Sequence, residues 1–263
     1  MAYFKDYILK KLMIFSFVFF LSSFLFAQTE KDSISKVNNF TAVVTVQNKG
    51  ISTIPNLTLG KPAVIFDMKL GRKLSFEPQF RFSLEDGKPW AMVLWWRYYG
   101  SVSERFKITY HANYSLSFKT IGLYNADGSD REVNRTNRYL VGALTPNYQL
   151  NKYIGLGAYL FYARGMDPYM IKNTYLASFQ PTISNIPLFK SFVAKVRPEI
   201  YLLKMGEDGV FFSTRFLISN KNSPFSLSGL ITQPIDSNIP SDYEFLWNVG
   251  VSYAFNQKYN KAH

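Results

Sequence analysis

Residues 106–118 read Phe-Lys-Ile-Thr-Tyr-His-Ala-Asn-Tyr-Ser-Leu-Ser-Phe. From Phe106 to Phe118 every second residue is apolar or aromatic, and every residue between them is polar or charged. Successive side chains of a β-strand point to opposite faces, whereas helical spacing would scatter the apolar side chains around the axis. The stretch therefore predicts a β-strand with one apolar face and one polar face.

The same alternation recurs along most of the chain. In residues 74–84, one face carries Leu, Phe, Pro, Phe, Phe and Leu, and the other face carries Ser, Glu, Gln, Arg and Ser. Further strands are predicted at 40–47, 62–70, 90–99, 138–149, 153–163, 175–184, 192–203, 210–219, 225–233 and 243–255. The pattern predicts an all-β protein of about twelve strands (10–14), each near the ~9–11 residues that a tilted strand needs to cross a membrane.

The first 27 residues are typical of a cleaved secretory signal peptide. Lys5, Lys10 and Lys11 precede an uncharged apolar run from Leu12 to Phe26, and cleavage is expected between Ala27 and Gln28. A retained anchor is the alternative, which the run disfavours because it is shorter than the ~20 apolar residues that a spanning helix needs. Residues 28–38 form a short polar N-terminal segment.

The last predicted strand alternates up to an aromatic residue. One face carries Trp247, Val249, Val251, Tyr253 and Phe255. This strand resembles the closing strand of Gram-negative outer-membrane β-barrels, and the resemblance covers the organisation of the whole chain without matching a named family. It implies a single antiparallel transmembrane β-barrel over residues 39–255, a C-terminal tail over 256–263 and a place in the cell outer membrane. It also implies contact with outer-membrane lipids and lipopolysaccharide, and recognition of the terminal strand by the barrel-insertion machinery.

A soluble periplasmic β-sandwich or barrel is the alternative fold, because alternation alone does not say whether water or lipid covers the apolar face. The connections favour the membrane barrel. With a periplasmic N-terminus, short turns fall on the periplasmic side at 71–72, 100–104, 150–152, 185–190 and 220–224. Longer outer loops are predicted at 48–61, 120–137 and 164–174, and this asymmetry is typical of outer-membrane barrels.

Composition limits the partners. There is no cysteine, and 30 Lys and Arg against 18 Asp and Glu give a net charge of +12. The basic residues are dispersed rather than clustered, so nucleic acid is not an expected partner, whereas anionic headgroups and small anionic solutes are. Aromatic residues make up 17% of the chain, and they suit an interfacial girdle. The tyrosines expected there lie near strand ends: Tyr98, Tyr99, Tyr148, Tyr153, Tyr162, Tyr175, Tyr243 and Tyr253.

The polar faces carry an excess of positive charge. The charged side chains expected to line the lumen are Lys69, Arg81, Arg97, Lys107, Lys119, Lys195, Arg197 and Arg215, with Asp67, Glu77, Glu199 and Glu244. Two outcomes stay open, since a buried charge needs either a partner or water. The charges pair and close the interior, or water fills it and the surplus positive charge favours anions.

Signals for catalysis are weak. His111, Asn113 and Ser115 form an inward series, but outer-membrane phospholipases place His-x-Ser on the lipid side, so we expect His111 to be structural. Asp127, Asp130 and Glu132 could hold calcium through oxygen ligands, although their spacing differs from a calcium loop and solvated acids are the simpler interpretation. We predict no enzyme activity, no metal and no cofactor.

The leading functional prediction is a narrow pore or solute-translocating channel with a basic lumen. A structural or partner-binding barrel of an envelope complex with a closed interior is the second, and an outer-membrane hydrolase is the third.

Overall fold

The computed structural model describes residues 38–124, 130–240 and 244–259. The predicted signal peptide, 1–27, and nearly all of the polar segment 28–38 lie outside the described residues. Within them are twelve strands and one turn of 3-10 helix at Pro55–Leu57. No helix in the described part of the chain is long and apolar enough to span a membrane.

The strands run in chain order. Their bounds are β1 Asn38–Gln47, β2 Ala63–Gly71, β3 Leu74–Ser83, β4 Pro89–Ser101, β5 Phe106–Tyr124, β6 Asp130–Gln149, β7 Ile154–Gly165, β8 Asn173–Pro187, β9 Phe192–Met205, β10 Glu207–Asn220, β11 Phe225–Ser237 and β12 Leu246–Tyr259.

Each strand pairs antiparallel with its neighbours in the chain, and β1 pairs with β12, so the sheet closes into a barrel. Closure leaves no strand edge unpaired, which is the condition for a β-sheet to lie in lipid. The prediction of one antiparallel barrel of about twelve strands is confirmed.

The outside of the barrel is apolar. Large side chains that face outward and stay exposed include Trp96, Leu140, Leu144, Leu160, Phe179, Ile200, Leu202, Ile231, Trp247 and Val251. Side chains of opposite parity, such as Asn113, Ser213 and Ser252, are buried inside. An apolar exterior around a polar interior is the architecture of outer-membrane barrels, and hydrocarbon rather than water is the solvent that it fits. The chain is an outer-membrane β-barrel.

The two ends of the barrel differ. One end has short turns at 72–73, 102–105, 150–153, 188–191 and 221–224, and we call it the turn end. The other, the loop end, carries the connections 48–62, 84–88, 166–172 and 238–245. It also has one tight junction at Gly206, whose φ is +83°.

The predicted outer loop at 120–137 is wrong over most of its length. β5 continues to Tyr124 and β6 begins at Asp130. The two strands stay paired along this stretch, from Thr120 opposite Asn134 to Tyr124 opposite Asp130. The hairpin extends past the apolar band, where neither face needs to be apolar. Alternation therefore fades although the backbone ladder continues.

The predicted end of the barrel also shifts. β12 runs to Tyr259, where it pairs with Asn38, so the strand takes in the first part of the predicted tail 256–263. The partner that extends it is β1, which lies at the far end of the sequence.

Candidate functional site: the barrel interior

The connection between β1 and β2, residues 48–62, folds into the barrel, and we call it the inward loop. The sequence predicted an outer connection at 48–61. Instead, Ile51 is buried against Leu230 and Leu246 on β11 and β12. Ile54 packs on a cluster that includes Tyr201 and Phe211 on β9 and β10. The loop therefore lies across the lumen near the loop end.

Hydrogen bonds hold the inward loop to several walls. The Tyr201 hydroxyl donates to the carbonyl oxygen of Thr53 at 3.0 Å, and Arg215 Nη2 donates to Thr53 Oγ1 at 2.7 Å. On another side of the barrel, Trp90 Nε1 on β4 donates to the carbonyl oxygen of Leu57 at 2.9 Å. Contacts with β4, β9 and β10 together make the loop a fixed constriction.

The sequence of the inward loop suits this position. No charge lies between Lys49 and Lys61, so nothing in the inserted segment needs bulk water. Gly50 is buried, and a Cβ there would lie 3.0 Å from both Leu59 Cβ and Trp90 Cζ3. An uncharged loop with regularly spaced apolar residues was the available signal for insertion.

Trp90 reaches the loop because of a local irregularity. Arg81 pairs with Ala91 and Phe82 with Pro89, which leaves Trp90 without an opposite residue on β3. A bulge of this kind changes the direction in which nearby side chains point. Trp90 is buried, and the Arg81 guanidinium carbon lies 5.0 Å from its ring centroid.

Glu77 is the centre of one polar network near the turn end. It accepts hydrogen bonds from Ser75 Oγ and the Tyr99 hydroxyl, both at 2.6 Å, and from Arg97. Lys69 Nζ lies 3.2 Å from the same carboxylate. One carboxylate therefore faces two cations, so this network offsets only part of the positive charge of Lys69 and Arg97. It also corrects the girdle prediction for Tyr99, which points inward because its hydroxyl binds this buried acid.

The other predicted girdle tyrosines that the structure describes all have exposed side chains. Tyr98, Tyr148, Tyr153, Tyr162, Tyr175 and Tyr253 are exposed. Tyr243 lies outside the described residues.

His111 belongs to the edge of the Glu77 network. Its Nδ1 accepts from Arg97 Nε at 3.1 Å, so the ring proton resides on Nε2, which donates to Thr145 Oγ1 at 2.9 Å. A nitrogen that already carries a proton cannot deprotonate a hydroxyl. The arrangement gives His111 a structural role and offers no support for the hydrolase hypothesis.

The calcium hypothesis gains no support either. Asp127 lies outside the described residues. Among those described, no group of three His, Asp or Glu side chains could hold a metal ion.

Glu199 is the centre of a second network at mid-barrel. It is 2% exposed and accepts from Arg215 Nη1 and Gln180 Nε2, both at 2.7 Å. Gln180 Nε2 also donates to Ser178 Oγ at 2.9 Å. Because Arg215 also binds Thr53, this network connects the wall to the inward loop.

A cavity of about 360 Å³ beside the inward loop is lined by positive charge, and we call it the cationic chamber. It is formed by Arg81 from β3, Lys195 and Arg197 from β9, and Arg215 from β10. No carboxylate is among its described lining residues. Arg215 is paired with Glu199, and Arg81 donates to Gln79, whereas no described ion pair involves Lys195 or Arg197.

The remaining charged residues that were predicted to line the lumen do not share one environment. Asp67 accepts a hydrogen bond from Gln79 inside the barrel. Lys107 is exposed next to the turn end, and Lys119 is exposed at the loop end. Glu244 is exposed and precedes β12, which begins at Leu246, so it is not part of the strand wall. On the terminal strand, Trp247, Val249, Val251, Tyr253 and Phe255 all face outward and are exposed.

No protein-family model matches the chain, and no curated protein matches it. Among solved structures it is similar to the KdgM porin in complex with disordered oligogalacturonate, at 10% identity over 82% of this chain and 99% of that chain, with a TM-score of 0.48. It is also similar to the β domain of the Bordetella autotransporter BrkA, at 11% identity over 84% and 100% of the two chains, with a TM-score of 0.42. The outer-membrane protein OmpT of Vibrio cholerae, in its trimer form, gives 8% identity over 83% and 98%, with a TM-score of 0.40. These similarities identify no family, and the assignment of the fold rests on the strand pairing and on the apolar exterior.

Proposed function

We propose that this barrel is a narrow outer-membrane channel for small anionic solutes, in which the inward loop forms the constriction. The observation that carries the proposal is the cationic chamber, where four basic side chains meet without a carboxylate among the lining residues. Positive charge concentrated at the narrow part of a pore favours anions and repels cations.

The unpaired charges indicate that the chamber is wet. A buried ammonium or guanidinium without a partner is strongly unfavourable in a dry interior. Lys195 is exposed and Arg197 is partly exposed within the barrel, and neither belongs to a described ion pair. Water, or an anion in transit, is the natural partner for both.

Open space is present on both sides of the constriction. At the loop end a cavity of about 550 Å³ is lined by residues that include Lys61, Lys88 and Lys119. Towards the turn end a cavity of about 240 Å³ is lined by Thr41, Lys69 and Glu77 among others. At the loop end a solute would meet Lys61 and Lys88 already paired with acids, and at the chamber it would meet basic side chains that have no described ion pair.

Single-channel recording in planar bilayers under a potassium chloride gradient tests the proposal. We expect discrete conductance steps and a reversal potential that shows chloride preference. Arg197→Glu replaces a chamber cation by an anion, so it should abolish or reverse that preference. The matched control is Lys204→Glu, which makes the same charge change on the exposed outer face of the same strand and should leave selectivity unchanged.

The second candidate is a closed barrel that serves as a structural or partner-binding component of the envelope. The Glu77 and Glu199 networks favour it, because they join the neighbouring strands β2 to β4 and β8 to β10 along the inner wall, and Arg215 of the second network also binds the inward loop. Absence of conductance from a folded sample would exclude the channel and favour this alternative.

A further inference from the structure

A fourth cavity, of about 340 Å³, lies on the β4 to β8 side of the inward loop, and we call it the ring cavity. Arg81, Arg215, Ile51 and Leu230 line both the ring cavity and the cationic chamber. A solute in the ring cavity would therefore lie beside two guanidinium groups of the chamber. The size is within the range of small-molecule sites, ~300–1,000 Å³.

Trp95, Tyr159 and Phe161 line the ring cavity, and His111 contacts Trp95 and Tyr159 without lining the cavity itself. Trp95 and His111 have ring centroids 5.7 Å apart, His111 and Tyr159 are 6.1 Å apart, and Tyr159 and Phe161 are 5.9 Å apart. The row extends over β4, β5 and β7 because the β6 residues between them are small, Ala143 among them. Interior aromatic side chains are not needed for contact with lipid, so this row calls for another explanation.

One polar atom without a protein partner faces the same space. Asn113 lines the cavity and is 3% exposed, and no described residue hydrogen-bonds its Oδ1. Buried polar groups without partners are rare and unfavourable. This amide oxygen is an acceptor, so it would gain from a water molecule or from a donor group on a ligand.

We propose that the ring cavity binds small anions that carry one aromatic ring, such as aryl carboxylates. The carboxylate lies towards Arg81, whose Nη1 makes no described hydrogen bond, and the ring lies against Tyr159 and Phe161. This inference rests on the proposed channel in one respect, since it names the class of solute that the channel selects.

The apolar part of the lining, as distinct from polar side chains such as Ser115, Ser117 and Thr174, favours an aromatic ring over a sugar acid. Ile54, Val93, Val141 and Leu176 contribute apolar surface. A polyhydroxylated ring would lose water from its hydroxyls against such a wall without recovering the hydrogen bonds. An aromatic ring has no such hydroxyls and gains from both dispersion and edge-to-face contact.

Isothermal titration calorimetry on the full barrel refolded in detergent tests the proposal with four probes. Benzoate has the charge and the ring, acetate has the charge alone, benzyl alcohol has the ring alone, and glucuronate has the charge with a polyhydroxylated ring. We expect benzoate to bind at least about tenfold more tightly than each of the other three, which corresponds to ~1.4 kcal/mol.

Two variants locate the site. Tyr159→Leu removes an aromatic surface, and Arg81→Gln removes the charge while keeping a polar side chain. Each should weaken benzoate binding about tenfold or more, since ring contact and charge pairing each contribute at the ~1 kcal/mol scale or above. Trp247→Leu removes a ring from the lipid-facing surface and should leave binding unchanged. Heat-modifiable gel migration establishes that each variant is folded.

The proposal is overturned if acetate or glucuronate binds as tightly as benzoate, or if benzoate binding survives both interior variants. Its failure is distinguishable from failure of the channel. Chloride-selective conductance without benzoate binding would remove the ring site alone, whereas benzoate binding without conductance would remove the channel and leave the site.

Discussion

At the level of single residues, the buried acids determine which cations of the interior are paired and which are not. Glu77 and Glu199 each satisfy several donors, and each is almost fully buried. Such an acid cannot be removed without leaving a partly buried cation without its partner, and breaking such a pair costs more than the pair itself contributes. Lys195 and Arg197 have no comparable acid, which is why the positive charge of the interior concentrates around them.

Glu199→Gln should therefore affect stability and selectivity together. It keeps the shape of the side chain but removes the negative charge beside Arg215, whose side chain is 31% exposed and lines the chamber, so we expect a loss of about 1–3 kcal/mol in the free energy of unfolding. We also expect a stronger chloride preference. Urea titration followed by gel migration measures the first, and reversal potentials measure the second. Glu207→Gln, at an exposed acid, is the control, and an equal loss of stability in that variant would contradict the argument.

Asp167 carries a pH-dependent contact at the loop end. Its carboxylate accepts from the Arg138 guanidinium and, at 2.9 Å, from the Arg138 backbone N–H, and these donors hold the pKa of Asp167 below its usual value. A lowered pKa in the folded state means that the contact stabilises at neutral pH and is lost as the pH falls through that lowered pKa.

Loop 166–172 should therefore exchange its amide hydrogens faster once the pH drops below the lowered pKa of Asp167. Hydrogen exchange across an acid series, corrected for intrinsic rates, measures this. Asp167→Asn should exchange faster already at neutral pH and show no further acid step. Asp208→Asn, at an exposed acid near the start of β10, should behave like the unaltered chain.

At the level of elements, the inward loop occupies part of the barrel interior, and in the proposed channel it sets the width of the passage. The alternation that predicts strands contains no information on where a connection goes after it leaves the wall. The absence of charge between Gly50 and Gly60 permits entry into the barrel, but entry also needs Tyr201, Arg215 and Trp90 to meet the loop. Those side chains come from β4 and from the β9–β10 hairpin, which are distant in sequence from the loop.

Replacing residues 51–58 by a short Gly-Ser linker should raise the single-channel conductance severalfold and weaken the discrimination between small and large solutes. The barrel should still fold, because none of its strand pairs involves these residues. The same replacement of residues 166–171, a connection outside the strand wall at the same end, should leave the conductance unchanged. An unchanged conductance after removal of the inward loop would show that the constriction lies elsewhere.

At the level of the whole molecule, the contact between β1 and β12 turns a sheet into a barrel. Thr45 and Ser252 are directly opposite each other, and their hydroxyl oxygens lie 2.8 Å apart inside the lumen. A sheet open at this seam would present two unpaired edges to lipid, which is prohibitively unfavourable.

The chain has no cysteine, so a disulfide across the seam can be introduced without competing thiols. Thr45→Cys with Ser252→Cys should cross-link under mild oxidation, since directly opposite residues have Cα separations of about 4.5–5.5 Å, within the range that disulfides accept. The cross-linked chain should resist heating in detergent and migrate differently on non-reducing gels. The mismatched pair Thr45→Cys with Asn248→Cys should not cross-link, and efficient cross-linking of that pair would show that the register is wrong.

The sequence by itself determined the strand period, the outward and inward faces and the near-terminal closing strand, because these depend on residues adjacent or nearly adjacent in the chain. The faces of β5, read from residues 106–118, are the clearest example. Only the tertiary structure decided that Arg81 and Arg197 line one chamber and that the inward loop lies beside it. Closure of the barrel brings together side chains more than a hundred positions apart, and no local pattern records which of them meet.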